Sequence, residues 1–112
     1  MENEFVPYEQ ALVLKELGFD EMCLKEFHKC ILITNSCGEE STNSELIYLY
    51  GEENTVIAAP LYQQAFRWFR ENYGLSYYNI RRDYNISEDG VRSYDDVELE
   101  CLKKLIEIVK VV

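Results

Sequence analysis

Three observations predict an α+β fold, an antiparallel sheet of about four strands packed with three helices. Two apolar-periodic segments, "VPYEQALVLKELGFDE" and "APLYQQAFRWFRENYGL", each contain a Gly followed by an apolar residue near the end, which suits a left-handed helix C-cap. The stretches between and after them carry the β-branched and aromatic content of strands. A third periodic segment closes the chain. With 112 residues, 47% of them hydrophobic, residues 1–112 suffice for a single domain with its own core.

Taken in order, Pro7 suits the first position of a helix that Gly18 and Phe19 terminate. "EMCLKEFHKCILITNS" then reads as strand, either one bent strand or two. "CGEESTNSE" is a polar loop, "ELIYLY" a further strand, "GEEN" a turn, and "TVIAA" a short extended piece leading into Pro60. The second helix runs from about Pro60 to Tyr73. "SYYNIRRDYNI" reads as strand, "SEDG" as a turn and "VRSY" as the start of a returning strand. The last helix opens at Ser93, where Ser93-Tyr94-Asp95-Asp96 has capping-box spacing.

The charge balance excludes some functions. The chain has 21 acids and 11 bases, a formal charge of −10, which repels phosphate backbones and disfavours duplex nucleic acid. Residues 1–59 hold twelve acids and three bases, hence −9, while residues 60–112 hold nine acids and eight bases, hence −1. An anion site therefore belongs in the second half, and the first half suits a basic partner. "MENEFVPYEQ" is acidic where a secretion signal is basic, and no window approaches the ~18 apolar residues of a membrane span. The expectation is a cytoplasmic protein with reduced cysteines and no membrane association; a homo-oligomer is left open.

Catalytic chemistry has little support. His28 is the only histidine. Cys23, Cys30 and Cys37 are spaced seven apart, without the short Cys-x-x-Cys knuckle of structural zinc, so no metal is expected and packing is their default role. No phosphate-cradling glycine pattern occurs. The expectation is a non-enzymatic protein without cofactors.

The middle helix poses the main question, because "AAPLYQQAFRWFRENYGL" mixes aromatic residues with arginines. At about 100° per residue, Phe66, Phe69, Tyr73 and Ala65 fall within about 60° of Tyr62. Trp68 and Leu61 lie to one side, and Gln63, Arg67 and Arg70 to the other. The aromatic stripe therefore reads as core, with Trp68 and Leu61 widening it. The arginine flank can join Arg81, Arg82 and Arg92 around a phosphate or carboxylate if the following strand folds back. The alternative is a solvated face on which these arginines pair with Glu71 and Asp83. In the last helix Val97, Cys101, Leu105, Ile108, Val109 and Val112 face one way, with Leu99, Leu102 and Ile106 broadening the face. Glu98 falls inside this arc, so it either meets an arginine or tyrosine, edges a cleft, or sits near solvent in the first turn.

"VPYEQALVLKELGFDE", "APLYQQAFRWFRENYGL" and "YDDVELECLKKLIEIVK" resemble segments of small uncharacterised proteins encoded by tailed phages and prophages of gut bacteria. The match is strongest in "QAFRWFRE", "YGL" and "CLKKLIEIV" and covers about half of the chain. The resemblance implies a phage accessory protein acting in the host cytoplasm, and it carries no catalytic residue over to this chain. Together with the acidic first half and the many tyrosines, it leads to a protein that binds and inhibits a host protein, in a counter-defence role. The alternative is a protein that sequesters a small anion or nucleotide signal, with Arg67, Arg70, Arg81 and Arg82 as anion ligands and Tyr77 and Tyr78 as stacking partners. Tyr48, Tyr50, Tyr77, Tyr78 and Tyr84 are expected in strands, where alternation exposes some of them.

Overall fold

The computed structural model describes residues 4–29, 31–34, 40–51, 56–86 and 94–111, without the side chains of Thr34, Tyr94, Asp95 and Val111. The architecture is α+β, with five helices and one three-stranded antiparallel sheet among the described residues. The chain forms two compact units, Met1–Leu61 and Tyr62–Val112.

The first unit holds α1 (Tyr8–Glu16), β1 (Lys25–His28), β2 (Ile31–Thr34), α2 (Asn43–Tyr50) and β3 (Val56–Ala59). Helix α1 ends as its Gly-Phe signal predicts. Gly18 takes φ 101°, its amide donates to the Lys15 carbonyl at 3.1 Å, and Phe19 donates to Leu14 at 2.9 Å. This is a Schellman cap, and it turns Phe19 into the core. Pro7 stands one position before the helix, as its N-cap.

"EMCLKEFHKCILITNS" resolves into two strands rather than one. β1 is central, antiparallel to β2 with Glu26 opposite Ile33, and antiparallel to β3 with Glu26 opposite Ala58. Lys29, directly after β1, takes a left-handed φ of 51°. "TVIAA" forms β3 as expected, buried along its whole length.

"ELIYLY" is a helix, not a strand. Thr42 caps α2 by accepting from the Glu45 amide at 3.2 Å, and its hydroxyl meets the Glu45 carboxylate at 3.4 Å. This Thr42 N-cap overrides the β-rich composition of the segment. Asn43 ties the helix to its surroundings: its amide donates to the Phe19 carbonyl at 2.9 Å and accepts from the Ala58 amide at 2.9 Å.

Among its described residues the second unit holds three helices, α3 (Tyr62–Tyr73), α4 (Tyr77–Asp83) and α5 (Tyr94–Val111). α5 packs against both α3 and α4. "SYYNIRRDYNI" therefore gives α4 instead of a strand, a seven-residue helix that buries only Ile80. Among the described residues the sheet has three strands rather than about four, because two predicted strands are helices; of the expected "VRSY" strand only Tyr94 is described, and it opens α5, while the Ser93 cap, Cys30, Cys37, Arg92 and Val112 lie outside the described residues.

The core face of α3 is rotated from its predicted setting. Tyr62, Ala65, Trp68 and Phe69 are buried, whereas Phe66 is half-buried and Tyr73 is 44% exposed. Trp68, the largest side chain of the helix, takes a core position instead of a flank. That turns the buried arc by roughly 50° and moves Phe66 and Tyr73 to its edge. In α5 the buried positions are Val97, Glu98, Cys101, Leu102, Leu105, Ile106 and Val109.

Candidate functional site

Rotation of the α3 core has a direct consequence for its other face. Gln63, Phe66, Arg67 and Arg70 stand at i, i+3, i+4 and i+7, so they form one stripe along the helix. After Tyr73 the chain passes through Gly74 at φ 67°, and it brings Ser76, Tyr77 and Tyr78 beside that stripe. Glu98 of α5 joins them. These eight residues line an open cleft of about 380 Å³ within the second unit.

One wall of the cleft is aromatic. The Phe66 and Tyr77 rings lie 4.5 Å apart, tilted by 36°, and Tyr77 meets Tyr78 edge-on at 5.3 Å. Tyr78 is 76% exposed, which leaves a ring face open to a ligand. The other groups are polar: the Gln63 amide, the Ser76 hydroxyl, two guanidinium groups and one carboxylate.

The two arginines are not equivalent. Arg67 lies 3.8 Å from Glu71 across one helical turn, with both side chains half-exposed. Arg70 forms no ion pair among the described residues. Its cation is therefore the more available, while Arg67 is already engaged within the protein, in part through this exposed pairing of small energy. Glu98 is only 7% exposed. It sits in the row of Leu102 and Ile106 one and two turns on, and it also faces the cleft. Burial at the edge of a cleft is among the settings open to it from sequence, and exposure near solvent is not the one found.

Arg81 and Arg82 lie elsewhere. With Tyr78, Asn85 and Ile86 they line a second, shallower hollow of about 470 Å³. Arg81 donates from Nε to the Ile86 carbonyl at 3.2 Å and so fastens the turn after α4. Arg82 pairs with Asp83 at 3.1 Å on the exposed surface. The predicted set thus divides: Arg67, Arg70, Tyr77 and Tyr78 line one cleft, while Arg81 and Arg82 flank Tyr78 on the other side. The pairings Arg67–Glu71 and Arg82–Asp83 are those of the solvated-face alternative, so that reading holds for Arg82 and in part for Arg67. Sequence reasoning placed Phe66 in the core and passed over Ser76; the i, i+3, i+4, i+7 spacing of Gln63, Phe66, Arg67 and Arg70 was the available signal for Phe66.

Other chemistry-bearing groups belong to separate places. His28 Nε2 lies 3.1 Å from Glu26 Oε1 in β1, and its ring meets Tyr50 edge-on. This pairing is ionic only when the imidazole is protonated. Cys23 and Cys101 are buried free thiols. Burial pushes Cys23 up to about 12, with Glu21 and Glu40 adding to the effect. Burial likewise raises Cys101 to about 11, against the opposing pull of Arg81. Neither is a thiolate near neutral pH, so neither is a nucleophile. Among the described residues no three His, Cys, Asp or Glu side chains gather as a metal site requires. No described helix is long and apolar enough to cross a membrane.

The tyrosines expected in strands are instead on helices or at helix ends. Tyr48, Tyr50, Tyr78 and Tyr84 are exposed and Tyr77 is half-buried. On α2, Tyr48 and Leu49 border a shallow hollow with Ser44 and Glu45. Comparison with known proteins gives no matching family model, no matching curated protein and no matching solved structure.

Proposed function

We propose that this protein binds and sequesters a small anionic ligand that carries an aromatic ring, a nucleotide signal being the natural class, and does not transform it. The observation that carries this reading is the convergence of Arg67 and Arg70 on one cleft with Phe66, Tyr77 and Tyr78. Guanidinium groups bind phosphate oxygens bidentately, and a flat base gains from stacking on an exposed tyrosine. The cleft volume, about 380 Å³, is near the lower end of small-molecule sites, which suits a mononucleotide. The test is thermal denaturation with a panel of cyclic and linear nucleotides. A ligand at about 100 times its Kd adds roughly 2.7 kcal/mol of stability and a shift of several degrees. Arg70→Ala cuts that shift to about half or less; a panel that shifts nothing refutes the reading.

A second reading rests on a different surface. Tyr48 is 89% exposed and Leu49 is 65% exposed on α2, within the half of the chain that carries −9. Large exposed apolar groups in an acidic field suit a basic protein partner. Under this reading the protein is a phage-type inhibitor of a host protein. Affinity capture from bacterial lysate then recovers one protein with the wild type and not with Tyr48→Asp. Equal recovery by both variants removes the reading.

A further inference from the structure

The carboxylate in the cleft restricts which anion can bind there. Arg67 and Arg70 attract phosphate, but Glu98, buried in the same lining, repels it. A purely anionic ligand gains nothing from Glu98. A ligand that carries hydrogen-bond donors on the part reaching Glu98 converts that repulsion into a charge-assisted contact. We infer that the ligand of this cleft is a guanine mononucleotide, with Glu98 accepting from the N1–H and the 2-amino group of the base. The inference rests on the nucleotide-binding reading above and adds the identity of the base.

The chemistry of the bases makes the choice. Guanine sets two donors side by side on its Watson–Crick edge, matching the two oxygens of a carboxylate. Adenine places the N1 acceptor beside its amino donor, and cytosine places N3 beside its own. Uracil flanks a single N–H with two carbonyl oxygens. Each of these turns at least one lone pair toward a carboxylate. Glu98 is already engaged within the protein; with about four lone-pair positions, its carboxylate has acceptor capacity beyond one contact. The remaining lining fits the same ligand. Phe66, Tyr77 and Tyr78 offer rings to the base, while Arg67 and Arg70 take the phosphate.

The experiment is calorimetric titration of the full chain with GMP, IMP, AMP and inorganic phosphate. GMP is expected to bind about tenfold or more tighter than AMP, as one bidentate base contact implies. IMP, which keeps N1–H and lacks the 2-amino group, falls between them, and phosphate is weakest. Glu98→Gln, which replaces one acceptor oxygen by a donor, brings GMP to within about threefold of AMP. If that variant does not fold by circular dichroism, the GMP, IMP and AMP order on the wild type decides alone. Equal binding of GMP and AMP, both weakened by Arg70→Ala, overturns the base assignment and leaves the nucleotide reading standing. Binding of none of the four probes overturns both.

Discussion

Asn43 is where a single substitution has the most calculable effect. Its amide is buried and serves two backbone groups at once, donating to the Phe19 carbonyl and accepting from the Ala58 amide, each at 2.9 Å. Asn43→Ala removes both partners and leaves a buried C=O and a buried N–H unsatisfied. Each such group costs about 1–3 kcal/mol, so the loss is roughly 2–6 kcal/mol. That is a large share of the ~5–15 kcal/mol that stabilises a typical domain. Urea denaturation should show the midpoint falling with an unchanged slope, since little surface exposure is altered. Amide exchange adds a local readout, because the Ala58 N–H should lose protection beyond the global change. Asn43→Asp separates the two bonds: it can still accept from Ala58 but cannot donate to Phe19 while ionised. An Asn43→Ala variant that loses less than about 0.5 kcal/mol, the scatter of surface substitutions, would refute the bridging role.

Other expectations concern the cleft and the thiols. Arg70→Ala should weaken nucleotide binding by about 1.5–3 kcal/mol, whereas Arg82→Ala, whose partner is Asp83 on the exposed surface, should leave it unchanged in the same titration. Glu71→Gln removes one exposed carboxylate beside Arg67 and should tighten binding by about 0.3–0.5 kcal/mol, roughly twofold; weaker binding would count against Arg67 as an anion ligand. Cys23 and Cys101 have folded pKa values raised to about 12 and about 11 from 9.0. Their neutral forms are favoured by the fold, so their contribution is complete below pH 9 and is lost as pH rises through the folded values. Between those limits each thiol costs about 1.4 kcal/mol per pH unit. Cys23→Ala should flatten the alkaline limb of a stability–pH curve relative to wild type, and an unchanged limb would contradict the burial argument.

Legibility in the sequence followed the strength of local chemistry. Gly18-Phe19 and Gly74-Leu75 announced two helix ends, because only a few residues tolerate φ above zero and both glycines adopt it. The strands of the first unit and the closing helix were readable from composition and period. α2 was not, because Tyr48, Leu49 and Tyr50 face solvent and leave the helix without an apolar period. Its one clear signal was Thr42-x-x-Glu45, inside a stretch whose polarity suggested a loop. α4 is too short for periodicity to speak, with Ile80 its only buried residue. The buried Asn43 bridge left no sequence signature at all, since its partners are the backbone of residues 24 and 15 positions away.

The division of α3 between core and cleft turns on two phenylalanines three positions apart, and it can be separated by experiment. Both were placed in one apolar stripe by their spacing, yet Phe69 is fully buried while Phe66 is half-buried and lines the cleft with Arg67 and Arg70. Phe69→Ala opens a cavity in a closed core and should cost about 3–5 kcal/mol. The Phe66 ring already borders solvent, so Phe66→Leu keeps much of its buried contact and should cost under about 1.5 kcal/mol. The ligand measurements should rank the other way. Phe66→Leu removes the ring packed at 4.5 Å against Tyr77 and so loosens the aromatic wall. Loss of base stacking then costs about 1–3 kcal/mol of nucleotide affinity in a variant that remains folded. A Phe66→Leu protein as unstable as Phe69→Ala would show that Phe66 is a core residue and not part of the cleft's aromatic wall. The guanidinium groups of Arg67 and Arg70 would then have only Tyr77 and Tyr78 beside them for a base to stack on, and the case for a nucleotide over a simple anion would rest on those two rings alone.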